Sequence, residues 1–408
     1  MAAIVSVIIT AYNHEPYIKD ALEGALKQKT DFPVEIIVHD DASTDATASI
    51  ISEYADKYPE IIKPVLEEKN VYSQGKSDMV SNMLRSKASG KYIALCEGDD
   101  YWIDDYKLQK QYDFMEAHPD YSMAMHNAWK IDMQSGTKVL LDTFPKSGTY
   151  SQKEQIEMGL GSKFPATASF FTRASLWKGY PNEFQKGIVG DYFIRQYFAS
   201  KGKIYYSDEP MSVYRYMTNG SFTQKINDDS EYYSNRVKEI INKFSILDRY
   251  LIYQYHDLFQ SAIASNLIGY IASEGHDKSI LKEIDISSEF VEKCKNHLDE
   301  NYIEPELKNL RQDTNDIWIY GTSRIGKIYL NKLQKHGFDV KGFAISDGYT
   351  KANSFMDKPV CYLSDIVAKN HQAIFVLAVQ PINADSIIKG LQETHVSNYI
   401  YPLKDLGD

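Results

Sequence analysis

Apolar runs alternate with amphipathic stretches along the first part of the chain. Four runs rich in Val and Ile or in aromatic residues predict buried β-strands: residues 4–9, 34–38, 61–65 and 92–96. The stretches between them place apolar side chains at helical spacings, as Ile18 and Leu22 do. Because strand and helix alternate, the pattern predicts an α/β fold with a largely parallel, doubly wound sheet whose strand ends meet at one edge.

The pattern changes twice after residue 100. Further strands are predicted at 121–129, 166–171 and 203–206, with a helix at 105–118 and polar loops at 135–161 and 214–221. From 227 to 312 the apolar spacing is helical throughout, and strand-helix alternation resumes at 317. We therefore expect three parts: an α/β domain at 1–225, a helical connector at 226–312 and a small α/β domain at 313–408.

Carboxylates directly follow the predicted strand at 92–96. Glu97, Asp99 and Asp100 repel one another, and proteins keep such a cluster when a cation or hydrogen-bond donors neutralise it. Gly98 permits a tight backbone between them. The sequence therefore predicts a site for a hard divalent cation, whereas Asp104 and Asp105 are interpreted as caps of the following helix.

Polar residues also follow the first two strands. Asn13 is a candidate cap for the helix after strand one, and Asp40-Asp41 ends strand two. Three polar strand ends are thus expected to converge. Later in the chain, Asp191 opens a predicted helix, where capping is the structural alternative to a catalytic role.

Charge and cysteine content narrow the function. A net charge of -11 argues against nucleic-acid binding. The cysteines are too few and too far apart for a disulfide framework or a zinc site: Cys96, Cys294 and Cys361. No apolar run reaches the roughly 20 residues of a spanning helix, and residues 1–9 are too short for a signal peptide. A cytoplasmic protein is expected.

The segment from Gly321 to Gly326 follows a predicted strand and opens a helix, as a dinucleotide-binding motif does. Its middle glycine is replaced by Ser323, which would crowd a pyrophosphate, although Asp347 after the next strand could contact a ribose. We therefore interpret residues 313–408 as a Rossmann-like structural domain.

Residues 4–222 resemble the family 2 glycosyltransferases, which have the GT-A fold. Three motifs in this order carry the resemblance: Val7-Ile8-Ile9-Thr10-Ala11-Tyr12-Asn13, Asp40-Asp41-Ala42-Ser43-Thr44-Asp45, and Gly90-Lys91-Tyr92-Ile93-Ala94-Leu95 leading into Glu97-Gly98-Asp99-Asp100. The version with Trp102 looks like bacterial enzymes that build surface glycans. The resemblance implies inverting transfer of a sugar from a nucleotide diphosphate donor, commonly UDP-linked, with Mn²⁺ or Mg²⁺.

The resemblance also implies roles for individual residues. The catalytic base would be Asp191, and the cation would be held by Asp100 and Asp99. Seven residues would bind the donor: Thr10, Tyr12, Asn13, Asp41, Asp99, Trp102 and Arg215. Trp102 and Trp129 are equally consistent with core aromatics. Met217 stands where the family often has a metal-facing His, and Ser81 where it often has Arg.

Two other functions stay open at this point. One is an NAD-linked oxidoreductase that uses residues 313–408, and the other is a glycosyltransferase-like scaffold that has lost catalysis. The expected partners are a nucleotide-sugar donor and a glycan, lipid-linked or protein-linked saccharide acceptor, with no nucleic acid. Peripheral association with the inner face of the membrane and assembly into a homo-oligomer are left open.

Overall fold

A computed structural model describes residues 2–71, 83–160, 164–185, 190–218, 230–273, 278–284, 286–310, 316–348 and 352–406. The chain divides into two compact units, Met1–Asp228 and Asp229–Asp408. The predicted connector at 226–312 shares the second unit with the C-terminal strands. The three-part division therefore stays a prediction.

The first unit alternates strands and helices. Its strands are β1 (Val5–Ala11), β2 (Val34–Asp40), β3 (Ile62–Leu66), β4 (Tyr92–Glu97), β5 (Tyr101–Trp102), β6 (Tyr121–Asp132), β7 (Lys138–Leu140), β8 (Gly148–Tyr150), β9 (Phe171–Arg173) and β10 (Lys203–Tyr216). Its helices are α1 (Ile18–Leu26), α2 (Thr47–Lys57), α3 (Lys107–Ala117), α4 (Gln152–Leu160), α5 (Asn182–Gln185) and α6 (Gly190–Ala199). The predicted α/β fold class is confirmed.

These strands form one mixed sheet among the described residues. Its main path runs β3-β2-β1-β4-β9-β6-β10-β5, with β7 and β8 at its margins. Strands β3, β2, β1 and β4 are parallel neighbours, and β9 is antiparallel to both β4 and β6. Val7 and Ile9 of β1 are completely buried, which explains the continuous apolar run in that strand.

Several local predictions for the first unit differ from the structure. Residues 167–169 form a 3₁₀ helix, so β9 begins only at Phe171. The predicted loop at 214–221 begins later, because β10 stays paired with β6 as far as Tyr216. Asn13 does not cap α1, which starts at Ile18. The segment 135–161 contains β7, β8 and α4. Of the stretch 78–87, where the sequence before β4 predicts a further helix, only 83–87 lie within the described residues, and they are helical.

The second unit begins with helices and ends with a smaller sheet. Its helices are α7 (Ser230–Tyr250), α8 (His256–Ala272), α9 (Ser288–Leu298), α10 (Pro305–Lys308), α11 (Arg324–Lys335), α12 (Leu363–Lys369) and α13 (Pro381–Glu393). Its strands are β11 (Ile317–Tyr320), β12 (Val340–Ile345), β13 (Ser354–Phe355), β14 (Lys358–Tyr362), β15 (Ile374–Leu377) and β16 (Tyr399–Ile400). Within the described residues, no helix has the length and apolar character needed to span a membrane.

The second sheet has the order β13-β14-β12-β11-β15-β16, and all its pairings except that of β13 are parallel. Gly321 after β11 has a left-handed φ of 111°. A Cβ on Gly326 would lie 2.3 Å from the Gly321 carbonyl oxygen, so the helix can approach the strand only with glycine there. Ser323 caps α11 by accepting from the Gly326 N–H. The motif thus serves local packing.

Candidate active site

Three parallel strands bring their polar ends to one edge of the first sheet. Thr10 of β1 is in register with His39 of β2 and with Glu97 of β4. The Gly98 N–H donates to the Thr10 carbonyl oxygen at 2.8 Å, and a Cβ on Gly98 would lie 3.1 Å from that oxygen. The predicted convergence of strand ends is therefore present, and a side chain at position 98 would crowd both this oxygen and Nδ1 of His14.

The carboxylates at the end of β4 and directly after it raise one another's pKa values. Burial and the charges of Asp99 and Asp191 raise the pKa of Glu97 to about 8. Burial and the charges of Asp99 and Glu97 raise the pKa of Asp100 well above its usual range. Asp100 is fully buried, and its Oδ2 has no hydrogen-bond partner within the described residues. The fold therefore opposes the ionisation of Glu97 and Asp100, which a bound cation would favour.

The end of β10 holds this acidic loop in place. The Arg215 backbone N–H donates to Asp100 Oδ1 at 2.9 Å, and its guanidinium donates to the Asp99 carbonyl oxygen at 2.8 Å. The Thr218 hydroxyl donates to Asp99 Oδ2 at 2.9 Å. Met217 between them has a left-handed φ of 62°, which is uncommon outside glycine. Both carboxylates are thus oriented by residues more than a hundred positions later.

Arg215 makes its other contacts within the first unit. Its guanidinium pairs with Asp20 and lies over the rings of Tyr17 and Tyr101, with centroid distances of 5.0 and 4.5 Å. The side chain is only 11% exposed. In this structure Arg215, predicted to bind the donor, orients the acidic loop.

The ends of β1 and β2 form a second polar wall. Asp41 is buried, and its Oδ1 accepts the Val71 N–H at 2.8 Å. Asn13 is left-handed at φ 53°, and its side-chain oxygen accepts the Thr44 N–H at 2.8 Å. Thr10 is exposed and Tyr12 is 42% exposed. Tyr12 and Thr10 are therefore available to a ligand at this edge.

Asp191 reaches the same cluster from another element. It lies in the first turn of α6, and its charge is among the causes that raise the pKa of Glu97 and of Tyr180. Residues 186–189 before it lie outside the described residues. A carboxylate from α6 therefore lies close enough to Glu97 to affect its pKa.

Trp102 lies in the core of the first unit. It is 4% exposed, and its indole N–H donates to the Ala168 carbonyl oxygen at 2.8 Å. The Lys107 ammonium lies 4.0 Å from the ring centroid, and burial lowers the pKa of Lys107 to about 7. Trp129 is partly buried and packs under Lys138. Trp102 is thus a core aromatic, as the alternative interpretation of the sequence predicts. Its role in donor binding stays a prediction.

The residues present fit a divalent cation that is completed by a ligand. Among the described residues no three His, Cys, Asp or Glu side chains are grouped to hold a metal on their own. Mg²⁺, however, is usually bound through one or two carboxylates together with substrate phosphates. Asp99 and Asp100 could supply those carboxylates, since the buried Oδ2 of Asp100 has no hydrogen-bond partner among the described residues.

Sequence reasoning missed several residues beside the acids. Thr218 lies in the stretch 214–221, which the sequence predicts only as a polar loop. His14, directly after the first motif, has its Nε2 3.9 Å from Asp99 Oδ2. Asp20, on α1, pairs with Arg215 although 195 positions separate them. Only the folded topology brings these residues together.

Comparison with known proteins supports the resemblance for part of the chain. Residues 6–179 match the family described as Glycosyl transferase family 2. The acids after β4 and the polar ends of β1 and β2 lie inside this segment, whereas Asp191, Arg215 and Thr218 lie beyond it. The match and the mixed sheet agree with the predicted GT-A fold class.

Three relatives illustrate what the chain is similar to. "Uncharacterized protein Rv1520" of Mycobacterium tuberculosis is 34% identical over 231 residues, which cover 57% of this chain and 64% of the relative. "Putative teichuronic acid biosynthesis glycosyltransferase TuaG" of Bacillus subtilis is 36% identical over 151 residues, 36% of this chain and 55% of the relative. "UDP-Glc:alpha-D-GlcNAc-diphosphoundecaprenol beta-1,3-glucosyltransferase WfaP" of Escherichia coli is 32% identical over 161 residues, 40% of this chain and 56% of the relative. The chain thus spans less than two thirds of each.

Proposed function

We propose that this chain is an inverting glycosyltransferase of surface-glycan synthesis. It moves a sugar from a nucleoside diphosphate donor, most consistent with a UDP-sugar, to an acceptor hydroxyl. The observation that carries the proposal is the meeting of acids from two elements. Glu97 ends β4, Asp99 and Asp100 follow it, and Asp191 of α6 is close enough to raise the pKa of Glu97.

The donor side of the site uses the three strand ends. Thr10, Tyr12, Asn13 and Asp41 would contact the nucleoside, and Asp99 and Asp100 would hold Mn²⁺ or Mg²⁺. When bound, the cation neutralises the charge that develops on the departing diphosphate, so that no proton donor is needed there. Arg215 and Thr218 keep the two carboxylates in position through the hydrogen bonds described above.

The acceptor side uses Asp191. Inversion requires a base opposite the leaving group, and Asp191 would take the proton of the acceptor hydroxyl. The acceptor oxygen then forms its bond to the anomeric carbon, while the bond from that carbon to the diphosphate oxygen breaks and its electron pair leaves with the diphosphate. The acids would therefore have two separate roles. Asp99 and Asp100 would hold the cation, and Asp191 would act as the base.

The relatives' names guide the choice of substrates. TuaG is named for teichuronic acid synthesis, and WfaP for a UDP-Glc donor and a diphosphoundecaprenol-linked acceptor. A UDP-sugar and a lipid-linked saccharide are therefore our first candidates, with the chain acting at the cytoplasmic face of the membrane. In this proposal residues 1–225 form the transferase domain, 226–312 a helical connector and 313–408 a Rossmann-like domain.

Thermal unfolding with a panel of nucleotide sugars tests the donor site. A donor present at 100 times its dissociation constant should stabilise the protein by about 2.7 kcal/mol, and this gain should depend on Mn²⁺. Asp100→Asn should lose the Mn²⁺-dependent part, whereas Asp56→Asn, at an exposed position of α2, should keep it. If UDP-, GDP- and dTDP-sugars all leave unfolding unchanged, the proposal is wrong.

A further inference from the structure

A cavity of about 240 Å³ lies beside the turn that joins α7 to α8, within the second unit. It is smaller than the roughly 300 Å³ at which pockets for drug-sized ligands begin, so it suits a single small ring. Polar side chains from both helices line it: Ser245, Asp248, Arg249, His256 and Gln260. The site lies outside residues 6–179 and outside the unit that carries the transfer chemistry.

An Asp–His pair forms the polar centre of this cavity. Asp248 is 3% exposed, and its Oδ2 lies 2.6 Å from Nδ1 of His256. This contact occupies Nδ1 of His256, so Nε2 is the ring nitrogen that a ligand could reach. The other Asp248 oxygen is buried and has no hydrogen-bond partner in the described part of the chain. His256 itself is 46% exposed, so its ring remains reachable from outside.

The turn beside the pair has an unusual backbone. Ile252 and Tyr253 are consecutive left-handed residues, with φ of 53° and 58°, and a β-branched residue in that region is a clear outlier. The Tyr253 N–H donates to the Asp248 carbonyl oxygen at 2.9 Å. This geometry holds the Tyr253 ring edge-on to His256, with centroids 5.7 Å apart. Such strain is concentrated at functional sites in proteins.

The chemistry of the lining selects the ligand. The Arg249 guanidinium can only donate hydrogen bonds, whereas an imidazole nitrogen such as Nε2 of His256 can donate or accept one. Ser245 and Gln260 can do both, and the aromatic rings of Tyr253 and Phe290 offer apolar faces. A neutral ring that carries several hydroxyls meets all these requirements. A free anion would face the buried Asp248 carboxylate, and no three metal-binding side chains are grouped among the described residues.

We propose that this cavity is a second saccharide site, which binds one monosaccharide unit through the Asp248–His256 pair. The proposal does not depend on the transfer reaction. It assigns the recognition of a sugar residue to the helical part of the second unit.

Saturation-transfer difference NMR on the full chain tests this site. The probes are the methyl glycosides of glucose, galactose, mannose and N-acetylglucosamine. At least one should show saturation transfer, and His256→Ala and Asp248→Asn should each weaken its binding about tenfold, as expected for the loss of a buried hydrogen bond. His371→Ala, at an exposed histidine of the same unit, should leave the signal unchanged.

Two further measurements keep the outcome clear. His256→Gln preserves the approximate size of the side chain, and if His256→Ala unfolds, the same loss of binding is expected in the glutamine variant. The nitrogen shift of His256 Nε2 should also move when the glycoside is added. The proposal is wrong if no glycoside gives a signal that depends on His256, or if Asp191→Asn abolishes the signal, which would locate the sugar in the transfer site. Neither result bears on the nucleotide-sugar panel.

Discussion

The fold opposes the ionisation of Glu97, and the substitution Glu97→Gln tests this. Burial and the charges of Asp99 and Asp191 raise its pKa from 4.5 to about 8. Between these values the folded protein keeps a proton that the unfolded chain has released. The free energy of unfolding therefore falls as the pH rises through this window, by about 1.4 kcal/mol per pH unit for one group. The stabilisation by the retained proton of Glu97 is fully present below pH 4.5 and is lost by pH 8.

Glutamine keeps the shape of Glu97 and removes this proton. In metal-free buffer we expect Glu97→Gln to be more stable than the wild type by about 2–4 kcal/mol at pH 7.5, with the difference vanishing near pH 4.5. Urea unfolding followed by tryptophan fluorescence measures this in a Trp318→Phe background, where the remaining tryptophans all lie in the first unit. Glu60→Gln, at an exposed glutamate, is the control. Parallel pH curves for wild type and Glu97→Gln would refute the reasoning.

Three further substitutions test individual contacts. Trp102→Phe removes the hydrogen bond to the Ala168 carbonyl oxygen and should lower the free energy of unfolding by about 1–2 kcal/mol. Donor affinity, measured by calorimetry, should not change. A tenfold loss of donor affinity at unchanged stability would instead indicate that Trp102 stacks on the donor. Thr218→Val should weaken Mn²⁺-dependent UDP binding about tenfold because Asp99 loses a donor, and an unchanged dissociation constant would argue against that role. Burial opposes the ionisation of Glu35, but ionic and hydrogen bonds lower its pKa to about 2. The ionised Glu35 therefore stabilises the fold above pH 4.5, and this stabilisation is lost as the pH falls towards 2. Glu35→Gln should lower the free energy of unfolding by about 2–3 kcal/mol at pH 7. In urea unfolding measured over a series of pH values, the loss of stability at acid pH should be smaller in this variant than in the wild type.

The strands that build the site were predictable from local pattern. β1, β2 and β4 are largely apolar and buried, and polar residues stand at or directly after their ends, whereas β3 is mostly exposed. Parallel neighbours align such ends, so the convergence of Thr10 with Glu97 follows from topology alone. The acidic motif was therefore predictable from the sequence alone.

Long-range contacts in the first unit were not predictable in the same way. Nothing local indicates that Asp20 pairs with Arg215, or that Thr218 orients Asp99. The stretch after Val213 contains polar residues typical of a loop, yet it stays in β10 because β6 supplies pairing as far as Tyr216. Tertiary pairing overrides local preference in these cases.

The cavity of the second unit was hidden for a different reason. Asp248 and His256 lie on two helices joined by a turn that contains no glycine or proline, so the usual turn signals are absent. Ile252 and Tyr253 adopt left-handed conformations instead, which an apolar spacing does not reveal. The predicted helices are present, but the sequence does not indicate that Asp248 and His256 meet beside the turn between them.

The most direct test of the account is to measure turnover and donor binding together for Asp191→Asn. With a donor identified by the nucleotide-sugar panel, we expect transfer to fall about 10²- to 10⁴-fold, because the acceptor hydroxyl loses its base. Donor affinity in Mn²⁺ should stay within about threefold of wild type, a change of less than about 1 kcal/mol. Asp56→Asn should alter neither quantity. Unchanged transfer by Asp191→Asn would contradict the central claim.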